Sequence, residues 1–217
     1  MLLVANSLNQ IWSPYFYKIA KINKDTYVES LSYTYYAFLT LLLSIFAIII
    51  LAVYEPLLLF AGGNLVLYSD FAIELTFIFA SFIVYTPVWH CRNHLYLKSD
   101  GLSILKLTIL SSLIGMLFLS IFIFLIGDMG IYVGIFALAC FQVLFFCIYV
   151  NNSFNASFAF LPILKGLLAV LIACLTLSLN LSILWLLFIF IIIFLVSIFD
   201  LKKYIPILIN LKWWSIK

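Results

Sequence analysis

The densest group of side chains able to do chemistry is His90-Cys91-Arg92-Asn93-His94. Two imidazoles four residues apart share one face of a helix, and imidazole with thiolate is a donor set for a transition metal. A tetrahedral site needs further sulfur or carboxylate ligands, and no other part of the sequence supplies them at a matching spacing. The pentad directly follows Trp89, as polar residues at the edge of a membrane span do, so it is expected to form a connector and not a metal centre. Three other polar residues lie inside or beside apolar runs. Glu74 stands about one turn into a run over 71–89, where a charge would cost about 2.5–3.5 kcal/mol at mid-bilayer and less near the end. It is a candidate for a proton or cation pathway, with snorkelling to the outer interface as the alternative. Lys106, early in the run over 102–126, is a weaker candidate of the same kind because its long stem reaches the interface easily. Gln142 is the only amide well inside a run and would bond a neighbouring helix or face a wet cavity. Glu74, Lys106 and Gln142 are therefore the pathway candidates, and no catalytic, cofactor-binding or metal-ligating residue is assigned.

Other chemistries find little support. There is no nucleophile elbow, phosphate loop or HExxH motif, and no Ser/His/Asp set falls at a shared depth, so an enzyme is disfavoured. Cys91, Cys140, Cys147 and Cys174 contain no CxxC pair and read as small apolar residues. The basic residues are scattered without interleaved aromatics, which argues against a nucleic-acid partner. Gly127, Gly130 and Gly134 are expected to make a tight turn followed by close helix approach, Gly130 and Gly134 having small-xxx-small spacing.

The elements that must position these residues follow from composition. The 217 residues are 67% hydrophobic and 9% charged, with a mean hydropathy of +1.29. Soluble domains carry about 25% charged residues, so a water-soluble globule is excluded and lipid is the solvent for most of the chain. The apolar runs are continuous and do not alternate, which excludes a β-barrel. An all-α, polytopic helical membrane protein with about six transmembrane helices is expected, since one span takes about 20 residues. The expected spans are 34–54, 71–89, 102–126, 131–150, 163–179 and 181–199. Residues 1–33 read as the end of a preceding helix, closed by Trp12-Ser-Pro-Tyr-Phe-Tyr-Lys18, plus a polar connector. Residues 201–217 read as an amphipathic tail. If the spans alternate, all 11 Lys and Arg residues fall on one side, with Glu55, Asp70, Glu74 and Asp128 on the other. By the positive-inside bias that side, and with it the C-terminus, is cytoplasmic.

Several segments, in order and spacing, resemble the polysaccharide flippases of the bacterial inner membrane, the O-antigen and capsule group of the multidrug/oligosaccharidyl-lipid/polysaccharide exporter superfamily. Trp12-Ser-Pro-Tyr-Phe-Tyr-Lys18 is similar to the Trp-x-Pro-aromatic close of the first helix in that family's C-terminal half. His94-Leu-Tyr-Leu-Lys98 with the following span, Gly130-Ile-Tyr-Val-Gly134, Lys165-Gly-Leu-Leu-Ala169 and Asp200-Leu-Lys-Lys203 are similar to later parts. The resemblance implies the C-terminal half of a two-lobed transporter, without cofactor, that carries undecaprenyl-diphosphate-linked oligosaccharide across the inner membrane. It implies as partners the lipid bilayer and an N-terminal lobe polypeptide or a second copy. The rival readings are a non-transporting accessory or scaffold subunit of a glycan-assembly complex, an inactive remnant of a flippase, and a small intramembrane enzyme using His90, His94 or Glu74.

Overall fold

The computed structural model describes residues 2–22, 25–61, 71–154, 158, 160–178, 188, 191–193, 195–196, 198–199 and 202. Among these residues the chain is all-α, with six helices: α1 Leu2–Ile22, α2 Asp25–Ala61, α3 Ala72–Leu97, α4 Gly101–Ile126, α5 Met129–Phe154 and α6 Phe160–Ser178. Four stretches are long and apolar enough to cross a bilayer: Leu31–Tyr54, Ala72–Leu97, Gly101–Ile126 and Met129–Ser153. The chain is a polytopic helical membrane protein. The fifth expected span, 163–179, falls on α6, whose apolar part Phe160–Leu175 is shorter than these four. Most of the sixth, 181–199, and all but residue 202 of the expected tail, 201–217, lie outside the described residues; the described residues within 188–202 are helical.

The helices run further than the polar signals indicate. Trp12 to Lys18 does not end a helix: α1 continues through Pro14 to Ile22. The expected connector up to Tyr33 is helical from Asp25, and α2 passes through Glu55 and Pro56. His90–Leu97, expected as connector, is the last part of α3. Backbone groups in lipid must be satisfied within the segment, so a helix tends to persist until it reaches water whatever its side chains. Pro87 in the middle of α3 illustrates the compensation. A proline there cannot donate to the carbonyl four residues back, that of Ile83, and the Thr86 hydroxyl lies 2.9 Å from that oxygen and donates to it instead.

α3 is the central helix, with α1, α2, α5 and α6 packed around it. The main core joins Trp12 and Phe16 of α1, Leu39, Leu43 and Leu51 of α2, Ile83 of α3 and Val170 and Ala173 of α6. Trp12 stacks face to face on Tyr35, with ring centroids 4.2 Å apart and planes 5° from parallel. A second core joins Val88, Cys91 and Leu95 of α3 to Phe146, Cys147 and Val150 of α5. The pairs Phe71–Tyr132, Phe77–Phe136 and Cys91–Cys147 show that α3 and α5 run side by side in the same direction, and the helix that joins them, α4, packs mainly on α5.

The Cys91 and Cys147 sulfurs are 3.9 Å apart. A disulfide needs about 2.05 Å, within reach of modest side-chain and helix adjustment. Membranes treated with molecular iodine, a small oxidant that partitions into lipid, are expected to yield one intramolecular Cys91–Cys147 disulfide in peptide mass spectra. Cys91→Ala should remove it and Cys174→Ala should leave it. Its absence in the wild-type chain would contradict the parallel α3–α5 packing.

Candidate functional site

Polar groups inside a lipid-dissolved bundle are expensive to bury, so their arrangement is informative. Three stripes of polar residues at helical spacing meet in one seam. Asn9, Ser13 and Tyr17 occupy one face of α1; Ser32, Tyr36, Thr40 and Ser44 one face of α2; Thr86, His90 and Asn93 one face of α3. Asn93, only 3% exposed, sits at the junction. Its Oδ1 accepts from the Ser13 hydroxyl at 3.1 Å and the Tyr17 phenol at 3.3 Å. Its Nδ2 donates to the Tyr36 oxygen at 2.8 Å, and the Tyr36 hydroxyl donates to Asn9 Oδ1 at 3.2 Å. One carboxamide thereby ties α1, α2 and α3 together.

His90 is buried beside this network with Nδ1 2.7 Å from the Ser32 hydroxyl. Its ring meets Tyr36, His94 and Phe158 edge to face. Cys91 turns away to Cys147 on the other side of α3. The His/Cys/His group is therefore split between faces, and among the described residues no three His, Cys, Asp or Glu side chains gather as a metal would require. Deeper along the seam, Thr40 and Thr86 hydroxyls are 2.9 Å apart, and each also reaches a backbone carbonyl, of Tyr36 and Ile83 respectively. Two hydroxyl protons serve three acceptor contacts, so one contact at a time lacks a proton.

Asn93→Leu should cost about 2 kcal/mol of stability, because the apolar replacement leaves Ser13, Tyr17 and Tyr36 without their shared partner. A lowered thermal midpoint in detergent, with faster protease release of the N-terminal helix, is the expected result. An unchanged midpoint would show that the network contributes nothing to holding α1.

The α2 stripe also leads to Lys165, which the sequence groups with the other basic residues on one side. Lys165 is expected near the start of the span over 163–179, on the side of the other basic residues, and its neighbour Gly166 packs against Ser44 and Ile83. A Cβ added at Gly166 would overlap the Ser44 hydroxyl and come within 3.3 Å of Ile83 Cγ2. Ser44 is near the middle of Leu31–Tyr54 and Ile83 near the middle of α3. Lys165 thus stands about level with the middle of the α2 and α3 spans. The physical reason is burial of the segment before it: Phe158 lies 5.6 Å from His90, and Ile163 joins the main core. That packing draws the start of α6 inward. Lys165 itself is exposed on the outside of the bundle. It borders a groove of about 300 Å³ with Leu41, Ala169, Ile172, Ile193 and Val196.

The three residues singled out from the sequence are not brought together. Glu74 lies in the first turn of α3, half-buried, where a carboxylate faces the positive end of the helix dipole. Lys106 is exposed near the opposite end of the bundle. There it belongs with Asp100, the N-cap of α4, which accepts from the Ser103 amide at 3.1 Å and from the Tyr149 phenol at 3.2 Å. The Ser103 hydroxyl and amide, the Tyr149 phenol and the Lys106 charge hold the Asp100 carboxyl below its ordinary value, against a weaker desolvation effect. Gln142 is buried in the middle of α5, with Nε2 3.4 Å from the Ser112 hydroxyl on α4. It also lines a pocket between α3 and α5, of about 380 Å³, with Phe82, Tyr85 and Trp89. Sequence patterns alone do not reveal the depth of Lys165 or the Asn93 network. The recurrence of polar residues every fourth position on α1 and α2 is the available signal for the second.

Comparison with family models, with curated proteins and with solved structures finds no match to this chain.

Proposed function

We propose that this chain is one lobe of a membrane transporter that moves lipid-diphosphate-linked oligosaccharide repeat units across the bacterial inner membrane during surface polysaccharide synthesis. The observation that carries the proposal is Lys165. A cation exposed at mid-bilayer depth costs about 2.5–3.5 kcal/mol by insertion scales if lipid surrounds it, so such residues usually face a bundle interior or a wet cavity. Here the face that bears it lies outside this bundle. A complementary lobe, in the form of another polypeptide or a second copy, would enclose it and leave the ammonium facing a shared cavity. There it would attract an anionic diphosphate. A sugar head group needs a wet path of this kind, because each unbonded polar group in hydrocarbon costs several kcal/mol. The hydrogen-bonded seam keeps α1, α2 and α3 together as a unit able to rock against the partner lobe.

The resemblance of the Trp12–Lys18, Gly130–Gly134 and Lys165–Ala169 segments to polysaccharide flippases supports the same assignment. In this orientation the basic ends of α1 and α3, and the C-terminus, face the cytoplasm. The test is complementation in a strain lacking its flippase. The chain expressed with a flippase N-terminal lobe should restore surface polysaccharide and deplete the lipid-linked intermediate on the cytoplasmic leaflet. Restoration by a strictly monomeric chain without any partner would overturn the half-transporter assignment. Failure of both pairings, coupled with crosslinking to a polymerase or glycosyltransferase, would favour the accessory subunit instead.

A further inference from the structure

The pocket between α3 and α5 is separate from the Lys165 groove and has different chemistry. Its walls are mostly aliphatic and aromatic, with Phe82, Tyr85 and Trp89 on the α3 side; Asn6 of α1 and Ser81, whose hydroxyl donates to the Phe77 carbonyl, are the other polar residues, and no Lys, Arg, Asp or Glu lines it. Its about 380 Å³ falls at the small end of ligand sites. The one deeply buried amide in it is Gln142, 7% exposed. Gln142 Nε2 bonds Ser112, while Oε1 makes no hydrogen bond among the described residues. A carbonyl oxygen at mid-bilayer without a donor is unfavourable, and water is scarce at that depth. Largely aromatic and aliphatic walls around a deeply buried amide acceptor favour a ligand that is mostly hydrocarbon, neutral, and equipped with an O–H.

We propose that this pocket binds a neutral lipid alcohol, with the hydroxyl donating to Gln142 Oε1 and the hydrocarbon chain lying against Phe82, Tyr85 and Trp89. An anionic lipid is disfavoured because no cation in the lining would meet its charge. An ordinary acyl chain would fill the volume but leave the Gln142 oxygen without a donor. The inference does not depend on the transport assignment: it needs only the pocket and the amide.

The test uses the full chain in phosphatidylcholine vesicles and farnesol as the probe, with farnesyl methyl ether as the matched compound lacking the donor. Each competes against a photoactivatable long-chain alcohol, and the labelled peptides are identified by mass spectrometry. Farnesol should compete about five- to tenfold better than the ether, the range expected for one hydrogen bond, and label should fall on the α3 and α5 peptides. Gln142→Leu should abolish the preference while retaining hydrocarbon binding. Ile135→Trp alters a partly exposed residue of the lining and should block both probes without touching the amide. Equal competition by alcohol and ether in the wild-type chain would overturn the proposal, as would label distributed over all helices. If Gln142→Leu fails to accumulate, the wild-type alcohol-to-ether ratio and the Ile135→Trp variant still decide the outcome.

Discussion

Replacing Lys165 by leucine is expected to abolish restoration of surface polysaccharide by the paired lobes while leaving the amount of chain in the membrane unchanged or raised. The two effects have opposite signs for a physical reason. A lysine opposes insertion by up to about 2.5–3.5 kcal/mol at the centre of a span and by less nearer its start, where Lys165 stands in α6, and leucine favours insertion by about 0.3–0.6 kcal/mol, so removing the charge relieves a cost to the isolated lobe. Transport loses the cation that would attract an anionic head group in the shared cavity. Lys165→Arg should retain much of the activity, since the charge remains and guanidinium also pairs with phosphate. Lys165→Gln, polar but neutral, should behave like leucine in transport. Polysaccharide assays together with quantitative membrane blots read both effects at once. Full activity in Lys165→Leu would remove the observation on which the transport assignment rests.

The second large effect is structural. Gly130→Val should destabilise the α4–α5 hairpin by about 3 kcal/mol or more and sharply reduce the level of folded protein. A Cβ at Gly130 would overlap the Phe122 carbonyl and lie 2.5 Å from the Ile123 nitrogen, and backbone atoms within a helix cannot swing aside. The contact continues along the pair: a Cβ at Gly134 would lie 2.8 Å from Leu119 Cα, and one at Gly115 would lie 2.6 Å from Leu138 Cδ1. Each helix thus offers a glycine to a leucine of the other. In lipid the close approach of backbones is a main source of helix association, because apolar side chains gain little by leaving hydrocarbon for one another. α4 depends on this contact more than other helices do, since its outer face, including Leu105, Ile109, Leu113, Met116 and Phe124, is exposed. Gly101→Ala is the matched control: nothing lies within 4 Å of the added methyl group. The thermal midpoint in detergent should fall for Gly130→Val and stay within about a degree or two for Gly101→Ala. Equal midpoints would mean that α4 is held by something other than this packing.

The glycines show how far a linear pattern can carry. Small-xxx-small spacing at Gly130 and Gly134 marks a close contact, and the contact exists, but the pattern does not name Leu119 and Phe122 as what fills it. The seam is legible in the same partial way. Asn9, Ser13 and Tyr17, like Ser32, Tyr36, Thr40 and Ser44, recur every fourth residue, so helical spacing by itself puts each set on one face. That Asn93 serves the first two stripes is not legible, because 76 residues separate it from Tyr17 and 57 from Tyr36. The pentad around His90 misleads for a related reason. Its polarity resembles a connector, yet His90 and Asn93 find polar partners on other helices of the bundle, Ser32 for the first and Ser13, Tyr17 and Tyr36 for the second.

Composition alone determined that the chain is helical and lies in a membrane. Transfer of a side chain from water to hydrocarbon depends on that side chain, and summed over a run of about 20 residues the total leaves little choice of solvent or of secondary structure. The depth of Lys165, the division of His90 and Cys91 between two faces and the separation of Glu74, Lys106 and Gln142 were decided only by tertiary packing. A run of apolar residues does not say where along its neighbours it will come to rest. Gly166 against Ser44, and Phe158 against His90, set that register for α6, and they bring one lysine from the expected edge of the spans to about the level of the middle of α2 and α3.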